Sequence, residues 1–296
     1  MFIKTYKTTI KRIFRSPIFL LCLVVIIVIV TMDAHNGFYG KDKEPDFVLA
    51  YEKYHEAISN LFMRMVRYAI PFLCVVTVMP VVGGDYSDNF FEIEKAGGVR
   101  SATYFFGRFL AILSVAFVIT LILSLFSVNY YFFTRGGVAS LHTVPENYVL
   151  EWPIDTLGEY IIDSTKVTVR LVVTCLLPVI ILFTSVTYAI GAFLESGLLA
   201  GIGGSVATVI AYLAAMKYQW MFDSTVYKYF LPARIGSFTY MACYDTIFNT
   251  PEYIAERGLG HILDTFEGVM TWIVSLLCIS LVCILISYVC TSRRKI

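Results

Sequence analysis

The sequence predicts an all-α polytopic membrane protein with six transmembrane helices. Of the 296 residues, 58% are apolar and only 15% are charged, whereas an ordinary soluble domain has roughly 25% charged residues. Most of the apolar residues fall in a few long runs. This composition excludes a soluble cytosolic enzyme, and a formal net charge of +1 gives no indication of a nucleic-acid partner.

Six apolar runs approach or exceed the roughly 20 helical residues that cross a hydrocarbon core about 30 Å thick. They cover residues 18–32, 61–82, 102–128, 167–190, 197–216 and 269–290, within a single transmembrane domain over 1–296. The first run is short and follows a basic stretch, so a cleaved signal peptide is an alternative to a span. We favour a span because no clear small-x-small cleavage site follows the run.

The distribution of charge predicts that both termini lie in the cytosol. With the N-terminus inside, the cytosolic segments carry 11 bases and 5 acids, whereas the outer segments carry 12 bases and 17 acids. An excess of Lys and Arg in the short cytosolic loops is the usual pattern in membrane proteins. The same orientation places the long segment 217–268 outside, before the last span.

The first 17 residues predict an interfacial helix. Apolar side chains recur at helical spacing and five bases occupy the remaining positions, which is typical of a helix lying in the plane of the membrane surface. Ser16-Pro17 is a suitable N-cap and first-turn pair for the span that follows. A generic basic anchor explains the same residues equally well.

The cytosolic loop 83–101 predicts a short amphipathic helix. Gly83-Gly84 is expected to end the second span, and Gly97-Gly98 to end the short helix before the third span. Acidic and amide side chains after the first glycine pair are suitable helix caps. The apolar side of the helix consists of Phe90, Phe91 and Ile93. Such a helix, held parallel to the membrane, is a candidate docking surface for a soluble partner.

Gly97, Tyr104 and Arg108 lead from this loop into the third span. Together with the basic interfacial helix, the outer loop and the acidic cytosolic helix, they make the chain resemble the membrane (permease) subunit of a type-2 ATP-binding-cassette (ABC) exporter, of the bacterial peptide or antibiotic export type. That family has a Gly followed by a Tyr or Leu and a Lys or Arg at this point. The topological resemblance covers nearly the whole chain, and the motif is confined to residues 83–108.

The resemblance implies a subunit that exports an amphipathic substrate, a peptide or an antimicrobial, across the plasma membrane. It implies two cytosolic ABC ATPase subunits, which would bind ATP and Mg, and a second permease subunit, identical or homologous. The chain would be no enzyme by itself, in agreement with the absence of a P-loop, G-x-x-x-x-G-K-[ST], from its sequence. The alternative from another class is a non-transporting membrane sensor or scaffold that docks a soluble partner on the 83–101 loop.

In the family that the chain resembles, the loop corresponding to 83–101 is a coupling helix in contact with the ATPase. Carried over, the ATPase-coupling residues are Asp85, Asp88, Glu92, Glu94, Lys95, Gly97, Gly98 and Glu195. The family also has short re-entrant helices before its last span, which would correspond to 217–268. An ordinary amphipathic outer segment is equally compatible with those residues.

Three groups of residues inside or near the spans leave two interpretations open. Close helix packing within the chain and a dimer interface are both compatible with the flat side formed by Gly197, Gly201, Gly204 and Ser205. A solvated helix face and a lure for a cationic substrate are both compatible with the acidic stripe of Asp155, Glu159 and Asp163. Snorkelling to the headgroups and a functional role are both compatible with Arg64, Arg67 and Arg170.

No catalytic, cofactor-binding or metal-binding constellation is recognisable in the sequence. The four histidines fall in predicted outer loops without metal-ligand spacing, and six of the seven cysteines lie in apolar runs, which gives no disulfide framework. Since no Asp, Glu or His lies near the middle of a predicted span, an ion-coupled carrier has no candidate proton relay. We therefore expect no catalytic site in this chain.

Overall fold

The computed structural model describes residues 2–39, 69–87, 90–128, 169, 172–218 and 266–293, and every regular element in these ranges is helical. The helices are α1 (Phe2–Arg15), α2 (Pro17–Tyr39), α3 (Ile70–Ser87), α4 (Phe90–Ala96), α5 (Ser101–Val128), α6 (Leu177–Leu194), α7 (Gly197–Tyr218) and α8 (Phe266–Arg293). A π-helical turn, Val172–Leu176, precedes α6. The predicted all-α class is confirmed for the described residues.

Three of these helices are long and apolar enough to cross a membrane: Ser101–Ser127, Leu177–Leu194 and Ile273–Arg293. The number rises to five if each of two bent pairs, α1 with α2 and α3 with α4, counts as one span. The apolar part of α7, Gly197–Ile210, is shorter. The chain is therefore a membrane-embedded helical protein, and the count of six spans stays a prediction.

The bend between α1 and α2 occurs at Ser16-Pro17, as the sequence predicts, and measures 68°. The hydroxyl of Ser16 accepts a hydrogen bond from the Phe19 amide at 3.4 Å, which is the expected N-cap contact. Because most of α2 is apolar and α1 is amphipathic, we expect this bend to lay α1 along the membrane surface.

α3 continues through Gly83-Gly84 to Ser87, so the prediction that this glycine pair ends the helix is wrong. The two glycines serve close packing instead. A Cβ on Gly84 would collide with the guanidinium of Arg12, and Gly83 lies against the backbone of Gly197 at the start of α7. Glycine allows this approach because it has no side chain.

α6 is the central helix of the bundle. It packs against α3, α7 and α8, and less extensively against α5. Hydroxyl groups within the spans donate to carbonyls one turn earlier: Thr77 donates to Leu73 O at 2.6 Å and Ser280 to Leu276 O at 2.7 Å. These bonds satisfy the hydroxyl groups of Thr77 and Ser280 within their own helices.

Candidate functional site

The candidate site is the region where α4 meets the ends of α1, α3 and α5. α4 ends at the Gly97-Gly98 turn, as predicted. Gly98 has a φ of +80°, a left-handed conformation that glycine adopts without strain. The Gly98 amide donates to Lys95 O at 2.9 Å, and the Val99 amide donates to Glu94 O at 3.1 Å. This turn reverses the chain into α5 and so fixes α4 beside the first turns of that helix.

Phe91 attaches α4 to the beginning of α5. Its ring is 3% exposed and contacts the ring of Tyr104 edge to face, with centroids 5.0 Å apart. On the other side of the same tyrosine, the Arg108 guanidinium carbon lies 4.2 Å from the ring centroid. Tyr104 and Arg108 are one helical turn apart on α5, so the cation–π contact within α5 positions the Tyr104 ring that holds Phe91 of α4.

Arg108 also forms a buried ion pair with Asp85 of α3. Both residues are almost fully buried, at 2% and 5% exposure. Arg12 of α1 approaches the same carboxylate at 3.6 Å, and its guanidinium carbon lies 3.8 Å from the centroid of the Phe90 ring on α4. One carboxylate is therefore shared by two cations, and four helices meet around it.

A second polar contact joins α1 directly to α4. Thr5 donates through its hydroxyl to a carboxylate oxygen of Glu94 at 3.0 Å. Thr5, Thr9 and Ile13 are the buried residues of α1, and this face packs on α5, where a Cβ on Gly107 would lie 3.4 Å from the Thr5 side chain. α1 and α4 therefore lie at the same end of the bundle and belong to one packed unit.

The structure brings some of the predicted coupling residues to the surface and places others inside. Gly97, Gly98 and Glu195 are exposed, and Glu92, Glu94 and Lys95 are half-buried. Asp85 lies inside, in the ion pair with Arg108. Asp88 is outside the described residues. The most exposed apolar side chain of α4 is Ile93, at 61%.

The short connection at Glu195 reaches the same end of the bundle as α4. Glu195 caps α6 in a left-handed conformation with a φ of 51°. Two residues later, a Cβ on Gly197 would lie 2.8 Å from the carbonyl oxygen of Met79 in α3 and would meet the backbone of Gly83. The Glu195 connection therefore lies beside the last turns of α3, which lead into α4.

The glycines of α7 pack within the chain. Gly201 lies against the Met79 side chain, and a Cβ on Gly204 would lie 2.7 Å from Val75 and 2.8 Å from the Thr187 hydroxyl. These contacts favour intrachain packing over a dimer interface for the flat side of α7; Ser205, at its edge, is half-buried. The other predicted groups lie outside the described residues: Asp155, Glu159 and Asp163, and Arg64, Arg67 and Arg170.

Sequence reasoning treated Arg12 only as a base of the interfacial helix and missed its place beside Asp85. It also missed Thr5, although a signal for it exists, because Thr5, Thr9 and Ile13 recur every four residues and so share one face of a helix. In the described ranges, no group of three His, Cys, Asp or Glu residues could hold a metal ion.

No protein-family model matches the sequence, and no curated protein matches it either.

Proposed function

We propose that the chain is the permease subunit of an ABC exporter, powered by separate cytosolic ATPase subunits that dock on α4 and the adjoining Glu195 loop. A second permease subunit, identical or homologous, completes the complex in the plasma membrane. The cargo is an amphipathic molecule, a peptide or an antimicrobial. The observation that supports this proposal most directly is the attachment of the surface helix α4 to two membrane helices at once.

That attachment suits α4 to transmit force. Phe91 is locked against Tyr104 on α5, and the helix follows α3, whose Asp85 is paired with Arg108 of α5. A push on α4 by a partner therefore acts on α3 and α5 together, because separating them requires breaking a buried ion pair, which costs about 3–5 kcal/mol. A loosely tethered surface helix would absorb the same push locally.

The outer side of α4 suits protein docking. Ile93 projects an apolar side chain that is 61% exposed, flanked on the same helix by Glu92, Glu94 and Lys95. An exposed apolar residue surrounded by charged ones is the usual composition of an interface anchor with a polar rim. ATP closure of two ATPases would move this anchor and tilt α3 and α5, which opens a path for the cargo.

The test is to purify the tagged full-length chain from its native membrane in mild detergent and to identify co-purifying proteins by mass spectrometry. We expect a stoichiometric soluble chain that carries a P-loop. Ile93→Ser should weaken its retention strongly, because burial of an Ile side chain contributes about 1.5–3 kcal/mol, equivalent to roughly a tenfold to hundredfold loss of affinity.

Ile3→Ser is the matched control. Ile3 is exposed to a similar extent, 66%, and lies on α1 at the same end of the bundle, so Ile3→Ser should retain the partner. Equal loss in both variants would rule out α4 as the docking site. If the intact, folded chain brings down no P-loop protein, the ABC assignment fails and the sensor or scaffold function takes its place.

A further inference from the structure

A cavity of about 460 Å³ lies between α1, Ser16 at the junction with α2, α3, α4 and α5. Its volume is within the range of ordinary ligand pockets. Four of the nine described residues that line it are basic, three carry hydroxyl groups, and none is acidic. The basic residues are Lys11, Arg12, Arg15 and Arg108. A cavity of this composition selects for an anion.

Arg108 gives the cavity a buried hydrogen-bond donor. The residue is only 2% exposed, and among the described residues its Nε atom has no hydrogen-bond partner. A buried guanidinium nitrogen without an acceptor costs free energy, and a planar guanidinium is well shaped to bind phosphate oxygens. Since Asp85 is shared by Arg108 and Arg12, the local balance of charge remains positive.

The position of the cavity indicates the source of the anion. It lies at the junction where amphipathic α1 bends by 68° into apolar α2, with Ser16 in its wall. On the far side of α1, Ile3 and Phe14 are exposed apolar side chains, which suits a helix resting on acyl chains. This arrangement favours a cavity at the depth of lipid headgroups over one out in the aqueous phase.

We propose that this cavity binds a phosphate group, supplied at this depth by the headgroup of an anionic phospholipid. Arg108 donates to the phosphate from inside, while Lys11 and Arg15 close the cavity from α1. Bound lipid then bridges α1 to α3 and α5 and holds the α1–α2 bend in place. The proposal is independent of the transport function, because it requires neither an ATPase nor a cargo.

The experiment measures equilibrium binding of a fluorescent phosphatidylglycerol to the full-length chain in maltoside micelles. The competitors are unlabelled phosphatidylglycerol, phosphatidylcholine and inorganic phosphate. We expect phosphatidylglycerol alone to compete. Effective competition by phosphatidylcholine would overturn the anionic selectivity. Effective competition by inorganic phosphate would overturn the lipid headgroup as the source and assign the cavity to a soluble phosphate.

Two double variants of α1 separate a site from general attraction to negative charge. Lys11→Ala with Arg15→Ala removes two bases that line the cavity, and should weaken binding by about fivefold for each base through loss of a direct hydrogen bond to the phosphate. Lys4→Ala with Lys7→Ala removes two exposed bases of the same helix that do not line it, and should leave the affinity within twofold. All four side chains are exposed on α1, so folding is preserved. Equal losses in the two variants would overturn the proposal.

Discussion

Asp85→Asn should be the most destabilising neutralisation at the α4 junction. The carboxylate of Asp85 is buried and faces two guanidinium groups, those of Arg108 and of Arg12 at 3.6 Å. The substitution keeps the size of the side chain but leaves both cations without the anion they share. Breaking a buried ion pair on one side typically costs about 3–5 kcal/mol, and the two remaining cations repel each other.

Arg108→Met tests whether removing one cation destabilises the chain less than removing the carboxylate that two cations share. In this variant Asp85 keeps Arg12 as a counter-ion at 3.6 Å, so the loss should be smaller, about 1.5–3 kcal/mol, the range for a hydrogen bond to a charged group. The double variant Asp85→Asn with Arg108→Met should be less destabilised than the sum of the two single variants, because the second substitution removes a stranded charge. Arg100→Met, at an exposed base just before α5, should stay within about 0.5 kcal/mol.

The measurement is reversible unfolding of the purified chain in mixed micelles, with helicity followed by circular dichroism as the fraction of denaturing detergent increases. The free energy of unfolding is then compared across the four variants. Equal losses for Asp85→Asn and Arg108→Met, or strictly additive losses in the double variant, would refute the argument that one carboxylate holds two cations.

Two further predictions use the same assay. Gly197→Ala should destabilise the chain by about 1–3 kcal/mol through overpacking, because the new Cβ meets the backbone of Gly83. Gly203→Ala should cost less, since its Cβ would meet only the Ile190 side chain and no backbone atom; the opposite order would contradict this packing. Thr5→Val should cost about 1.5 kcal/mol through loss of the bond to the Glu94 carboxylate. The matched Thr8→Val should change the free energy of unfolding by no more than about 0.5 kcal/mol. Equal losses in the two variants would contradict a stabilising role for the bond between Thr5 and Glu94.

The parts of the fold that the sequence predicted well are those that local composition decides. The third predicted span, 102–128, corresponds to α5 almost residue for residue, because a Gly-Gly turn precedes a long, uninterrupted apolar run. The bend at Ser16-Pro17 was likewise readable, since capping and proline geometry act within one helical turn.

Glycines in membrane helices account for the main errors in helix ends. The second span was expected to end at Gly83-Gly84 and the fourth near 190, but α3 continues to Ser87 and α6 to Leu194. The glycines near these ends are packing positions: a Cβ on Gly191, for example, would lie 2.8 Å from Val82 and from Ala200. A sequence alone does not distinguish a glycine that ends a helix from one that admits a neighbouring helix, because both need the absence of a side chain.

The candidate site could be predicted only in part, because some of its features are local in the sequence and others depend on contacts between distant helices. The amphipathic character of α4 and its terminal turn are local properties, and they were anticipated. The pairing of Asp85 with Arg108 and Arg12 depends on three helices meeting, so no spacing in the sequence reports it. Asp85 was assigned to the docking surface because it precedes α4, whereas its burial inside the bundle follows from the continuation of α3.

The contacts of Tyr104 and Arg108 explain why these two residues are spaced four apart on α5. Residues four apart share one face of a helix. This face of α5 contacts α4 through the Tyr104 ring and forms an ion pair with α3 through Arg108. Moving α4 alone would uncover Phe91 and break the bond between Thr5 and Glu94, and moving α3 alone would break the buried ion pair. Motion of α1, α3, α4 and α5 as one body preserves all of these contacts, so it costs least. A partner that pushes on α4 therefore displaces the membrane helices and not merely the surface helix.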